Sequence, residues 1–344
     1  MTKATAANAT GPRSLRKTMI AAAAALPLSA VATGGALAAN DVIIGAHEAG
    51  STYYVIGAAV ADVVSKNSKY TGKMITAAGA AVWMPMMDSR EVDLGVASHY
   101  EAWLARGGKK PFAKSFDVRT VVVGGGINVG LYVRKDSDIK TLADIKGKRI
   151  GSGYPGAPAI GVYALGEIAN GGFGLSDMQA VPRTSLYAGQ REDVTEKRLD
   201  VFYASVGSGI TNELNSTIGI RFLSLDPSPA ALASMRKVYP AVVTPVKAGP
   251  PGIEKDMHLT YLPTYLIGHA KVSNDTIYAV TKALWEKNAD LRAANPRLKG
   301  WVTDKYATVD ATVPYHDGAI KYFKEAGVWT AEMQAHQAEL LAAK

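Results

Sequence analysis

The chain has 344 residues, 48% of them hydrophobic, a formal net charge of +8 and no cysteine. That excludes a disulfide framework and thiol chemistry, and the length exceeds what a single core usually organises, so two lobes are expected. Lys3, Arg13, Arg16 and Lys17 stand in a first segment without acids; without them 34 basic residues face 30 acidic ones, a scattered excess that offers nucleic acid no basic face.

Residues 1–39 read as a cleavable secretory signal. The four basic residues precede IAAAAALPLSAVATGG, a weakly hydrophobic stretch interrupted by Pro27, Gly34 and Gly35, and Ala36-Leu37-Ala38 supplies the small residues a signal peptidase requires. Cleavage near Ala38 and a periplasmic location are the expectation. The rest of the chain has no comparable apolar run and is expected to be soluble.

Beyond that segment, short apolar runs alternate with helical spacing. Residues 42–44, 93–97, 118–123, 129–134, 149–151, 201–204 and 220–225 read as buried strands. Val55, Ile56, Ala59, Val60, Val63 and Val64 recur at helical spacing, and further helical windows cover 157–169, 190–198 and 229–238. From residue 274 onward the pattern is helical, with Ile277, Val280, Ala283 and Leu284 on one face and a final helix over 331–343. The alternation predicts an α/β protein with mostly parallel sheets. The chain is read as crossing between lobes twice, at GGGINVGLYVRKDS (124–137) and at 257–270, after the AGPPG of 248–252. One lobe is then discontinuous (40–128 and 263–344) and the other continuous (129–262).

In open α/β sheets, ligands gather beyond the carboxyl ends of the strands. Four loops meet that condition. Residues 50–54 (GSTYY) open a helix with outward N–H groups and the Ser51 and Thr52 hydroxyls, although simple N-capping by Ser51 explains them equally well. Residues 98–100 (SHY) follow the strand 93–97. Residues 151–159 (GSGYPGAPA) lie between a strand and a helix, where glycine permits close backbone approach. Residues 204–209 follow a strand ending in Val201-Phe202-Tyr203. Enzyme signatures are missing: the six histidines form no HExxH pair, there is no GxSxG elbow or P-loop, and GGGINVG has the wrong spacing for a dinucleotide loop. His47-Glu48 and His99 with Glu101 are the nearest approaches to a metal pair. No catalytic residue, metal or cofactor is expected.

Six fragments in order resemble the TAXI family of substrate-binding proteins: GSTYYVIGAAVADVV (50–64), SREVDLGVASHYEAW (89–103), LADIKGKRIGSGYPGA (142–157), LDVFYASVG (199–207), VSNDTIYAVTKALWE (272–286) and PYHDGAIKYFKEAGVW (314–329). The resemblance implies two Rossmann-like α/β lobes joined by hinge strands, the type II periplasmic-binding or Venus-flytrap fold. It implies a monomer that captures an organic acid or amino acid and delivers it to the membrane permease of a TRAP transporter. Carried over by that resemblance, the ligand loops supply Ser51, Thr52, Tyr53, Ser98, His99, Tyr154, Gly156 and Ala157, with Ser205 added from the 204–209 loop. Ala80, Trp83 and Ser98 replace the family's usual polar groups, so the expected ligand is a carboxylate more aromatic or bulkier than glutamate, stacked on Trp83 or Tyr53. An NMT1-like binding protein of an ABC importer, suggested by LADIKGKRIG (142–151), and a periplasmic sensor or enzyme on the same fold are the competing readings.

Overall fold

The computed structural model describes residues 40–343; the expected secretory signal lies outside the described residues. The strands are β1 (Asp41–His47), β2 (Thr71–Ala77), β3 (Leu94–Ser98), β4 (Val118–Val123), β5 (Ile127–Arg134) and β6 (Arg149–Gly153). They continue with β7 (Gln179–Arg183), β8 (Phe202–Ser205), β9 (Ile220–Phe222), β10 (Val243–Val246), β11 (Met257–Leu262) and β12 (Thr264–His269). One sheet runs β2-β1-β3-β12-β4 and a second runs β10-β11-β5-β8, with β9 also on β5. The pair β6-β7 joins the second sheet's end through a bridge between Ile150 and Val201.

The strands are not mostly parallel, as the alternation suggested. Only β1-β2, β1-β3 and β6-β7 pair in parallel; β12 runs antiparallel to both β3 and β4, and β5 antiparallel to β8, β9 and β11. The reason is connectivity. The chain passes from β4 into β5 through Gly124-Gly125-Gly126 alone, and returns from β11 into β12 through Pro263 alone. A strand that leaves one sheet and a strand that comes back into it must run in opposite directions when no crossover helix reverses the chain.

Burial follows the pattern in the sequence. Every residue of β3 (LGVAS) and β12 (TYLIGH) is buried, as befits central strands covered on both faces. Gly45 and Gly95 are register partners across β1 and β3, and the indole of Trp83 lies against both: a β-carbon at Gly45 would come within 2.7 Å of the ring, and one at Gly95 within 2.2 Å. Several helices begin on side-chain caps. Ser51, Ser98, Ser208, Ser228, Ser273 and Thr330 each accept a backbone N–H in the first turn that follows. Among the described residues, no helix is long and apolar enough to cross a membrane. The two sheets, their covering helices and the paired crossings form a two-lobed α/β fold of the type II periplasmic-binding, Venus-flytrap kind.

Because the Trp83 ring occupies the space a β-carbon would need, Gly95→Ala is expected to cost about 1–3 kcal/mol in urea-induced unfolding.

Candidate functional site

Two parallel neighbours end side by side: β1 at His47 and β3 at Ser98. Each feeds a helix, Thr52–Asn67 and His99–Arg106, whose first turn faces the other lobe. From the second sheet's lobe come the end of β8, the helix Pro158–Asn170 and the loop 185–188. Between them is a cavity in which a water centre can move through about 30 Å³, room for one or two waters. His47, Thr52, Tyr53 and Glu101 line one wall; Ile160, Tyr163, Leu186, Tyr187, Tyr203 and Ser205 line the other. Ile127, Val129 and Leu262 of the crossing strands form the floor.

Polar contacts close the seam around this cavity. The hydroxyls of Thr52 and Ser205 are 2.8 Å apart, and those of Ser98 and Tyr163 are 2.7 Å apart. Ser185 Oγ donates to Glu48 Oε2 at 2.5 Å, and the Ala188 N–H donates to the same oxygen at 3.3 Å. The loop before Ala80 meets the loop before Pro158 through backbone and methyl groups only. A β-carbon on Gly79 would come within 2.4 Å of Ala157, and one on Gly156 within 2.5 Å of Ala78. The seam is tight because these residues are small.

Glu101 is the acidic group of the cavity wall. It is 3% exposed and completes a capping box: its Oε2 accepts from the Ser98 N–H at 3.0 Å and from Ser98 Oγ at 2.8 Å, while its own N–H donates back to Ser98 Oγ. With the Ser98 proton directed at the Glu101 carboxyl, the Tyr163 hydroxyl is the donor in its bond to Ser98. Burial raises the Glu101 pKa, and the two Ser98 bonds pull it back. Burial lowers that of His47 to about 3, so its imidazole is neutral at pH 7. His47 Nε2 stands 3.9 Å from Glu101 Oε1 and has no hydrogen-bond partner; the Tyr203 hydroxyl, equally buried, also has none, whereas that of Tyr53 lies by the Thr264 and Ser98 hydroxyls. The phenols of Tyr53, Tyr163, Tyr187 and Tyr203 are all held above their ordinary pKa, chiefly by burial.

Of the residues selected from the sequence, Thr52, Tyr53 and Ser205 line the cavity. Ser51 and Ser98 are behind it, their side chains engaged as helix caps. Ala80, Gly156 and Ala157 lie at the glycine-lined seam. Tyr154, at φ +46°, turns its ring back over Gly151. Trp83 is fully buried in the core, so it presents no face to the cavity. His99 lines a different cavity, shared with Tyr261, Pro263 and Tyr265, and burial lowers its pKa to about 4, so it carries no charge across pH 5.5–8. Sequence reasoning missed Tyr163, Tyr187 and Tyr203, single tyrosines in unremarkable runs. It set His47 beside Glu48 and His99 beside Glu101 as the nearest approaches to a metal pair, whereas the fold places His47 within 3.9 Å of Glu101 without a hydrogen bond. Among the described residues, no three potential metal ligands converge.

The model of the NMT1-like family matches residues 44–327, most of the described chain. The chain belongs to the NMT1-like family. This overturns the TAXI assignment, and with it the TRAP permease as partner and the TRAP carrier as destination. The stretch 314–329 that supported that assignment has a structural role in this NMT1-like chain. His316 caps the helix Asp317–Glu325 by accepting the Gly318 N–H, and Gly318 sits so close to the Asn274 carbonyl that a β-carbon would fall 2.4 Å from it. Family and fold match those of periplasmic or extracytoplasmic binding proteins.

Solved structures similar to this NMT1-like chain include the alkanesulfonate-binding protein of Xanthomonas axonopodis pv. citri bound to MOPS, at 13% identity over 86% of this chain and 94% of that one, with a TM-score of 0.46. A putative L-cystine ABC transporter protein from Listeria monocytogenes is similar at 13% identity over 78% and 100%, with a TM-score of 0.49. An ancestral arginine-binding protein bound to arginine is similar at 14% identity over 76% and 98%, with a TM-score of 0.47.

Two outcomes follow from this geometry. His47 protonates near pH 6.5 when unfolded but only at about 3 when folded, so its contribution is complete above pH 6.5 and is lost as pH falls towards 3. Between pH 7 and 4 the urea-unfolding stability of His47→Gln should therefore become more favourable relative to the parent as pH falls. This parent-minus-variant difference isolates His47 from His99, which acts in the same direction, and from the buried Glu167, whose pKa of about 8 acts in the opposite one. At the seam, Gly156→Val should hold the lobes apart, lowering ligand affinity at least about tenfold while leaving the melting temperature nearly unchanged, because the added methyls meet only the opposing loop.

Proposed function

We propose that this protein is the solute-binding component of an ABC-type importer, capturing a small molecule in the cavity between its lobes and presenting the closed form to the permease and ATPase subunits. One observation supports this reading above all. Two buried polar groups without partners, His47 Nε2 and the Tyr203 hydroxyl, belong to residues that line a cavity around which both lobes are joined by side-chain hydrogen bonds. Buried polar groups without partners are costly, and a ligand that satisfies them from both sides stabilises the closed form over the open one.

In this reading the lobes comprise 40–128 with 263–344, and 129–262. They hinge at Gly124-Gly125-Gly126 and Pro263, and the secretory signal is removed near Ala38. The ligand-contacting residues are Thr52, Tyr53 and Ser205, joined by His47, Glu101, Tyr163, Tyr187 and Tyr203. The protein binds without turning its ligand over.

The test is a thermal-shift screen of the purified protein against a library of cationic, neutral and anionic small molecules, followed by calorimetry and small-angle scattering of the hits. A ligand that raises the melting temperature, reduces the radius of gyration and is recovered unchanged is the expected result; failure of every compound to do so, or chemical conversion of a hit, would overturn the reading. The Thr52–Ser205 bond has a directional consequence. Thr52→Val removes one hydrogen bond made in the closed form, worth about 1 kcal/mol, and should weaken binding of such a hit roughly three- to tenfold in calorimetry.

A further inference from the structure

From the charge and hydrogen-bonding character of the cavity wall we infer that the ligand is a small organic cation bearing at least one N–H on its positive nitrogen, held by Glu101 and His47 and surrounded by tyrosine rings; this rests on the binding-protein reading above.

Glu101 is the sole acid among the described residues that line the cavity, and no lysine or arginine lines it. The Arg297 guanidinium lies outside the cavity wall: it donates to the Val206 carbonyl at 2.8 Å and lines the adjoining cleft, which shares Thr52 and Ile127 with the cavity, and its charge is felt by the Tyr187 phenol. His47, kept neutral by burial, supplies no positive charge either. A carboxylate or sulfonate entering this space would be buried beside the acid Glu101 with no cation in the cavity wall to pair with it, an unfavourable arrangement for two acidic groups. A cation entering it completes an ion pair whose acidic half is already desolvated and held by the two Ser98 bonds.

Geometry favours a nitrogen donor in particular. Glu101 Oε2 is occupied by Ser98, whereas Oε1 and His47 Nε2 stand 3.9 Å apart, too far to bond to each other. A nitrogen about 2.9 Å from both fits over that gap, donating to the carboxylate and, in the tautomer protonated at Nδ1, to the imidazole as well. The surrounding walls suit such a group. The rings of Tyr53, Tyr163, Tyr187 and Tyr203 present aromatic surface, which attracts cations, and the unpartnered hydroxyl of Tyr203 is a further acceptor.

The charge of the ligand is testable with shape-matched probes on the purified wild-type protein. Two series serve: methylammonium, methanol and formate, and n-propylammonium, 1-propanol and propionate, each titrated calorimetrically to millimolar concentration. The cation of at least one series should bind at least tenfold tighter than its neutral and anionic counterparts. Glu101→Gln should remove at least about tenfold of that affinity. Glutamine at this helix position can still complete the capping box, so the variant should melt as a folded protein. Equal or tighter binding of an anion, binding of a cation unaffected by Glu101→Gln, or no binding by either cation would overturn the inference. If the library screen nonetheless returns a ligand that closes the lobes, the binding-protein reading stands and only the ligand's charge has been misassigned.

Discussion

A carboxyl group buried at the start of a helix governs this molecule's interior. Glu101 cannot be left without partners in so dry a position, and the fold meets that requirement locally, through a capping box in which Ser98 donates both its N–H and its hydroxyl. The same serine hydroxyl then receives Tyr163 from the other lobe. One short chain of hydrogen bonds therefore joins helix capping, carboxylate solvation and contact between the lobes. Removing any member leaves a buried polar group exposed to the cost of its neighbours' loss.

Small residues carry out the complementary task. At the seam, Gly79 and Gly156 allow two loops to touch through their backbones, and at the first crossing Gly124 and Gly126 lie beneath the rings of Trp301 and Tyr261. The Tyr261 hydroxyl accepts the Gly126 N–H at 2.9 Å, fastening one crossing strand to the other. The crossings are thus short and tightly packed, which concentrates relative motion of the lobes into a few residues instead of spreading it through the sheets.

Much of the fold could be read from local pattern. The runs at 118–123 and 129–134 became β4 and β5, the window 157–169 became the helix Pro158–Asn170, and the serine caps fell where polar residues precede apolar periodicity. Strand direction could not be read this way, because apolar runs look alike in parallel and antiparallel sheets, and only the sharp returns through 124–126 and Pro263 reveal which is present. The family was misjudged for a related reason. Fragments such as PYHDGA satisfy capping and close helix packing, demands shared by different families of one fold, so they identify the architecture better than the transport system.

The sequence by itself determined the two-lobed α/β class, the helix caps and the loops beyond the strand ends, since each depends on residues a few positions apart. Only the tertiary structure decided which side chains share the cavity. His47 meets Glu101 because β1 and β3 are parallel neighbours that end together, and Trp83 is withdrawn into the core because Gly45 and Gly95 face each other across those strands. Tyr163, Tyr187 and Tyr203 arrive from the other lobe. Such meetings depend on register and on lobe closure between segments far apart in the chain, and no local pattern encodes them.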